Sequence, residues 1–482
     1  MSDLRSDNDS APKINNEAMK SADAEMNHIE DQTPPTLLEG PASWPKWKKN
    51  LQIWMVAFHS LMTTFMAAGI IPASATLADM YGVTVSETSY LVSIQILLLG
   101  ISPLVWSPIM SRYGRYYVCM LSVFGSMALS IGGVYCSSFG SQMATRAISA
   151  FFISPPIGIG SGIVTELCEP EERGQKLGWW TLMITVGIPA GPLIMGFVSQ
   201  HLGVQWVFWI FAILNFVQFI AYLVFGAETL QSKEPISSQA PQSAWGKWKF
   251  RRLDPAPFEL ADLIRPLFLA QKLEVLIPGV AYAFTFCYAN VAVVVEMPTV
   301  FGEKFNLNAQ EIGLQFIALI IGCILGDQLS GPFSDFLLRF LRRRKQRSSP
   351  ADRLWLSYVG YATTITGLLV WGFQVQNAVA WNVTPCVGAA FAAFGNQVVT
   401  TTLVAFAVDS SEKSSTNVGL FINFCRQIYG FIGPFYFPPL FEGLGMGGAA
   451  GVMCALIAVS ALAPTIFIQI KSSRPHRGDF DI

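Results

Sequence analysis

Charge is what this sequence has least of. Lys, Arg, Asp and Glu together make up 13% of its 482 residues, about half the quarter usual in soluble domains. Beside a hydrophobic share of 52%, that scarcity argues against the roughly three water-soluble domains that length alone would suggest. A formal net charge of −1 gives no sign of a nucleic-acid partner. The eight cysteines stand singly and no CxxC pair or Cys/His cluster occurs, so neither a metal centre nor a disulfide framework is expected. The four histidines are equally scattered. Gly-x-x-x-x-Gly-Lys-[Ser/Thr] is missing, as is any stretch the size of a soluble ATPase, which argues against a nucleotide-driven pump. No His, Asp and Glu converge as an enzyme site would require, and no cofactor is expected.

What is present is a series of long apolar runs. Residues 1–45 come first, a polar tail with nine acids against three bases; it has no apolar core and reads as a disordered cytoplasmic tail, not a signal peptide. From Leu51 onward, apolar segments of about 20 residues recur, each long enough to cross a ~30 Å hydrocarbon core as a helix. They fall near 51–72, 88–110, 115–137, 141–164, 178–199 and 203–226, and again near 275–298, 312–334, 354–374, 382–408, 416–440 and 447–470. The expected fold is therefore an all-α polytopic membrane protein with twelve transmembrane helices in two groups of six. The N-terminal bundle is 46–226 and the C-terminal bundle 275–470, with a polar, basic linker at 227–274 and a tail at 471–482.

The lysines and arginines orient it. With both termini cytoplasmic, the inner loops collect Arg112, Arg115, Arg173, Lys176, the bases of the linker, Arg339 to Arg353 and Lys413, and the outer loops hold Lys304 alone. That is the positive-inside pattern, and an odd number of spans would spoil it. Asn382-Val383-Thr384 is a glycosylation sequon that falls at the predicted outer mouth between the ninth and tenth spans.

The two halves echo one another. Ser107-Pro108 through Arg112-Tyr113-Gly114-Arg115 after the second span is matched, 224 residues later, by Gly331-Pro332 through Asp335 to Arg339 after the eighth. Gly191-Pro192 in the fifth span has a counterpart in Gly433-Pro434 in the eleventh. Duplicated six-helix halves with a cavity between them are how many secondary transporters alternate access.

These loops resemble the signature loop of the major facilitator superfamily, Gly-x-x-x-Asp-Arg-x-Gly-Arg. Arg112, Gly114 and Arg115 match; Ser107 and Ser111 stand where the Gly and Asp are usual, and the acid survives only in the second copy, as Asp335, with Arg339 beyond it. Gly187, Gly191, Pro192 and Gly196 resemble the Gly-x-x-x-Gly-Pro signature of the fifth span of drug:proton antiporters. Arg146 sits where that group carries an arginine, and the stretch from Asp254-Pro255 to Gly331-Pro332 is similar to the fungal twelve-span branch. The resemblance covers about 45–470. It implies a cytoplasmic gating loop, a helix kink that biases the carrier towards export, and proton coupling through Arg146.

Physical chemistry supplies candidates independently. A charge inside a span is expensive and by default functional, which singles out Arg146, Arg426, Asp327 and Glu296. Arg146, Asp327 and Glu296 are the proton-coupling candidates. Against them stand snorkelling of Arg146 to the interface and a structural tie of Asp327 to Arg339 or Arg342. The first span has no acid and His59 as its ionisable group, which puts proton coupling through the first half in question. Arg426 meets either an anionic or polar substrate group or a helix-joining ion pair; the sequence leaves both open. Asn290, Gln315, Asn396 and Asn423 are polar positions within spans, fit either for a substrate cavity or for holding helices together. Small residues at four-residue spacing around 187–196 suit close helix approach whether or not they set a direction.

The leading expectation is a proton-coupled exporter of drugs, toxins or secondary metabolites, working as a monomer in a lipid bilayer, in the plasma membrane or in a vacuolar or vesicle membrane. A nutrient importer of the same superfamily is the alternative, though Phe225 to Leu230 lacks the Pro-Glu-Ser-Pro-Arg-like sequence of sugar porters. A non-transporting sensor and a membrane-embedded enzyme stand further off.

Overall fold

A computed structural model describes residues 41–168, 170–230, 258–345, 350–411 and 415–472. Every regular element among them is helical. The spans are α1 (Lys46–Tyr81), α2 (Val85–Tyr113), α3 (Arg115–Val134), α4 (Phe139–Leu167), α5 (Lys176–Leu202), α6 (Val204–Phe225), α7 (Leu273–Phe305), α8 (Ala309–Ser334), α9 (Ala351–Asn377) and α10 (Thr384–Asp409), followed by one apolar stretch, Thr416–Ser472. That last stretch is 57 residues long, about 85 Å as a straight helix and nearly three bilayer cores. It divides at Gly445, whose φ of 69° and ψ of 168° are non-helical. Residues 416–444 form α11 and residues 446–472 form α12, giving the twelve spans that the apolar runs predict.

Large apolar side chains such as Leu121, Phe124, Phe216, Leu325, Phe391 and Val459 are exposed on the outside of the bundle. A surface of that kind suits hydrocarbon as its solvent. Local signals set the helix ends. Thr84 caps α2 through a reciprocal box with Glu87, whose carboxylate accepts from the Thr84 N–H at 2.7 Å. Gly114 joins α2 to α3 without a loop, at φ 91°, a backbone value that side chains resist.

Several spans are interrupted. The first breaks after Ala68 into a 3₁₀ turn at Ile71–Ala73 and a short helix, Ser74–Tyr81. In α4 the break is at Ser154, ahead of Pro155 and Pro156. A π-helical turn at Cys287–Ala292 interrupts α7. By contrast α5 runs unbroken through Pro189 and Pro192.

Glycines set the closest helix contacts. Within the first half, a Cβ on Gly191 would lie 2.5 Å from the Phe65 carbonyl oxygen, and one on Gly187 2.6 Å from that of Leu61, so α5 rides directly on the backbone of α1. Gly196, on the same helix, faces the other half: its Cβ would lie 2.6 Å from the Ala309 carbonyl oxygen and 3.1 Å from Gly313 Cα of α8. The second seam between halves joins α2 to α11, where Asn423 donates to the Leu99 carbonyl at 3.0 Å.

Five ion pairs among the described residues lie at one end of the bundle, where odd spans begin and even spans end. At the opposite end Lys304 donates to the Gln376 carbonyl at 2.8 Å and to that of Val375, capping the C-terminus of α9. The expected linker proves partly structured, with residues 258–272 folding as a helical turn at Ala261–Ile264 and a 3₁₀ turn at Arg265–Gln271. The bases at 247–252 and most of the two tails lie outside the described residues.

Candidate functional site

Midway along the bundle the two halves enclose a cavity. Its wall comes from α1 (Thr64, Ala67, Ala68, Ile71), α2 (Val92, Ile96, Leu99) and α5 (Ile188) on one side. From the other come α7 (Phe286, Asn290, Val291, Val294, Val295) and α11 (Arg426, Gln427). The space is about 450 Å³ including its open mouth. The halves close in on it towards both ends. The rings of Tyr90 and Phe435 stack at 4.8 Å towards one end; towards the other a Cβ on Gly158 would meet Leu420 at 2.7 Å and one on Gly162 would meet Thr416 at 3.2 Å.

Arg426 is the one charge in this wall. It is 8% exposed. Its two terminal nitrogens donate to the Tyr282 hydroxyl at 3.0 Å and the Asn423 side-chain oxygen at 2.9 Å. The guanidinium lies over the Phe286 ring at 4.8 Å and near that of Tyr282 at 5.6 Å. Its Nε has no hydrogen-bond partner, and among the described residues it makes no ion pair. Asn290 reaches the cavity from the π-helical turn of α7.

The other polar candidates sit elsewhere. Asn423 bridges α11 to α2 as above. Gln315 accepts from Trp381 Nε1 at 3.2 Å and from Cys386 Sγ at 3.0 Å, holding α8, α10 and the loop before it together. Asn396 is buried in α10 with its side-chain oxygen unpartnered.

Arg146 is buried and held through Nε and Nη2. Its Nε donates to the Leu91 carbonyl at 3.0 Å, and Nη2 to those of Met66 and Ala67 at 3.2 and 3.0 Å and to Gln95 Oε1. Met66 and Ala67 belong to the last turn of the helix Lys46–Ala68, whose carbonyls lack helical partners. A cation suits that helix end, and the three spans α1, α2 and α4 are thereby fastened. His59 is likewise buried within the first half, between the Tyr222 hydroxyl at 3.1 Å and Ser122 Oγ at 3.3 Å.

Of the two acids, Glu296 is 4% exposed in α7 and has no hydrogen bond or ion pair among the described residues. Asp327 of α8 is half-buried and accepts from Gln397 Nε2 at 3.0 Å. Neither lines the cavity.

The signature loop is the most worked-out part. Arg112 donates to the Pro108 carbonyl at 3.2 Å and pairs with Asp262 of the linker turn, with Phe258 stacked over it at 5.1 Å. Where the motif lacks its acid, at Ser111, the carboxylate comes from 150 residues further on. The Arg112 guanidinium holds the Asp262 carboxyl below its usual range, with a smaller contribution from the Glu259 N–H and Arg265. Arg115 pairs with Glu166 of α4 through two bonds of 2.8 Å, and its N–H donates to Glu228 at 3.0 Å. The side chains of Asp335 and Arg339, the second copy's candidates, lie outside the described residues. Asn382 is exposed between α9 and α10 and its side-chain oxygen accepts from the Thr384 N–H at 3.0 Å.

Comparison with known proteins gives a consistent picture. Residues 53–434 match the Major Facilitator Superfamily model. The chain is 28% identical to MFS transporter fsa7 of Fusarium sp. (strain FN080326), covering 91% of this chain and 88% of that one. It is 25% identical to efflux pump radE of Floropilus chiversii, over 94% and 88%, and 25% identical to the probable efflux pump mfs2 of Aspergillus flavus, over 84% and 98%. Among solved structures, the human organic anion transporter MFSD10 (TETRAN) superposes with a TM-score of 0.62 at 14% identity, covering 88% of this chain and all of that one. That likeness is one of fold.

Proposed function

From the premise that this chain belongs to the Major Facilitator Superfamily, we propose that it exports small organic molecules by proton antiport through alternating access. The observation that carries the reading is the cavity. It is built from both halves, so a substrate enters or leaves when the halves rock apart on the α2–α11 and α5–α8 seams. Gly196 of α5 lets the α5–α8 seam close tightly, while Gly187 and Gly191 pack α5 on α1 within the first half. The export direction is supported by the Gly-Pro signature of α5 and by relatives that bear the name efflux pump.

Orientation follows from charge. The end that carries the ion pairs is also the end of most loop lysines and arginines, and the positive-inside rule makes it cytoplasmic, with both termini there. Asn382 then faces outward as a glycosylation site. The plasma membrane is the membrane we assign, and a single chain, holding both halves, is the working unit. Proton coupling is assigned to Glu296 and Asp327, the embedded acids, with Arg146 holding the first half in register.

The test is retention of fluorescent or toxic amphipathic compounds in a transporter-depleted cell, with and without a protonophore. Protonophore-sensitive loss of compound supports export. Faster accumulation of the compounds would overturn the direction and favour an importer.

A further inference from the structure

Arg426 presents a charge imbalance that the packing leaves open. A cation buried at mid-membrane costs several kcal/mol unless it is paired or reaches water, and here its partners are neutral: a phenol, an amide and two ring faces. The helix-joining ion pair that its position allowed is not formed among the described residues. No carboxylate lines the cavity. Beside the two groups that accept from it, the guanidinium has unused donors for neighbours. The Tyr282 oxygen is occupied by Arg426, and its own proton has no acceptor among the described residues. The Gln427 and Asn290 amides line the same space without a hydrogen-bond partner among those residues. Around this polar corner the wall is hydrocarbon: Ala67, Val92, Ile96, Val291 and Val294.

We propose that this corner is an anion site, and that the transported molecules are amphipathic organic monoanions, a carboxylate on an apolar body. The inference rests on the transport reading above and names its substrate class. The anionic group displaces water from Arg426 and completes the pairing that Nε and the flanking amides lack; a charge-assisted, bidentate contact is the strong form of such a bond. Phe286 and the aliphatic wall receive the apolar body. A neutral analogue of the same shape keeps the hydrophobic contact and leaves the cation unpaired, so it binds worse.

The test uses the purified full-length chain in lipid nanodiscs and two matched pairs of probes, 1-naphthylacetate with 1-naphthylacetamide and 1-pyrenebutyrate with its carboxamide, read by thermal stabilisation. The expected result is that at least one acid binds tighter than its amide by about tenfold or more, the size of one good charge-assisted bond. Arg426→Gln removes the preference, bringing acid and amide to similar affinities; Arg426→Lys, which keeps the charge, retains part of it. Equal binding of acid and amide, no binding by either acid, an acid preference that survives in Arg426→Gln, or equal stabilisation by chloride alone would each overturn the proposal. Binding needs neither a gradient nor a direction. An acid preference without protonophore-sensitive efflux therefore sinks the exporter reading and spares the site, whereas efflux indifferent to Arg426→Gln sinks the site and spares the exporter.

Discussion

Arg115 grips Glu166 through two hydrogen bonds of 2.8 Å, and the second half repeats the arrangement with Arg353 and Asp409 at 2.8 Å. In each half an arginine at the start of the third span meets a carboxylate at the end of the fourth. The two bundles thus share a fastening as well as a topology, at the end that carries the loop arginines. A half that must rock as a body needs its helices tied to each other at the rim, and these pairs do that without crossing to the other half.

The cost of cutting the tie depends on exposure. Arg115 is 9% exposed at its side chain and Glu166 49%, so the pair sits between a surface bridge, worth up to about 1 kcal/mol, and a buried one. Arg115→Ala or Glu166→Gln is expected to lower the unfolding free energy by about 1–2 kcal/mol, measured by thermal denaturation in detergent. The swap Arg115→Glu with Glu166→Arg recovers part of the loss. Single variants as stable as the parent would mean that the pair fastens nothing.

The linker contact has a defined pH behaviour. Arg112 lowers the Asp262 carboxyl below its ordinary value, so the folded state favours the carboxylate. Its contribution is complete above the ordinary Asp range and is lost only as pH falls through the lowered value. Proteolysis of the linker is expected to run at the same rate at pH 7 and pH 5, and Asp262→Asn to raise it at both. A parent protein that opens between pH 7 and pH 5 would show that another group holds the linker.

Glycines at the seam give a steric prediction with an internal control. A methyl group on Gly196 meets the α8 backbone at 2.6 Å, whereas one on Gly178 meets nothing within 4 Å. Gly196→Ala is expected to cost about 1–3 kcal/mol, as overpacking does, and to slow transport; Gly178→Ala is expected to be neutral or slightly stabilising. Equal transport and stability in the two variants would remove the seam from the mechanism.

Much of the fold was legible because hydrocarbon is a demanding solvent. Twenty-residue apolar runs with charges between them admit few arrangements other than spanning helices, and even the division at Gly445 shows as the gap between 440 and 447. The site was less legible. Arg426 and Asn290 were visible as polar residues in apolar runs, but nothing local distinguished them from Gln315, which ties helices within one half. The π-helical turn that brings Asn290 to the cavity has no sequence mark. Asp262 was hidden for another reason: a carboxylate 150 residues from its partner, in a polar stretch, looks like any solvated acid. The missing acid at Ser111 was the signal that a substitute was needed.

The two embedded acids divide the coupling question. Glu296 is enclosed and unpaired among the described residues, while Asp327 is half-buried and holds Gln397. A charge with nothing to balance it is the one whose proton the cycle must handle. Glu296→Gln is expected to cut pH-gradient-driven efflux from proteoliposomes by about tenfold or more while sparing substrate exchange, and Asp327→Asn to slow both about equally. The reverse pattern would move the coupling role to α8.

Arg426 can also be tested with no ligand present. If it were a structural tie, removing it would leave its partners stranded, and breaking a buried ion pair costs about 3–5 kcal/mol. The contacts here are instead with neutral groups: the stacking over Phe286 at 4.8 Å returns about 2 kcal/mol, the worth of a desolvated cation–π contact, and the hydrogen bonds to Tyr282 and Asn423 return about 1.5–3 kcal/mol each. Replacing the guanidinium with an uncharged chain of similar length therefore removes a cost and a benefit of comparable size. Arg426→Met is expected to keep the stability of the empty carrier to within about 1 kcal/mol, read as an unchanged thermal midpoint in nanodiscs, while abolishing transport. A midpoint that drops steeply in Arg426→Met would instead make the arginine part of the scaffold.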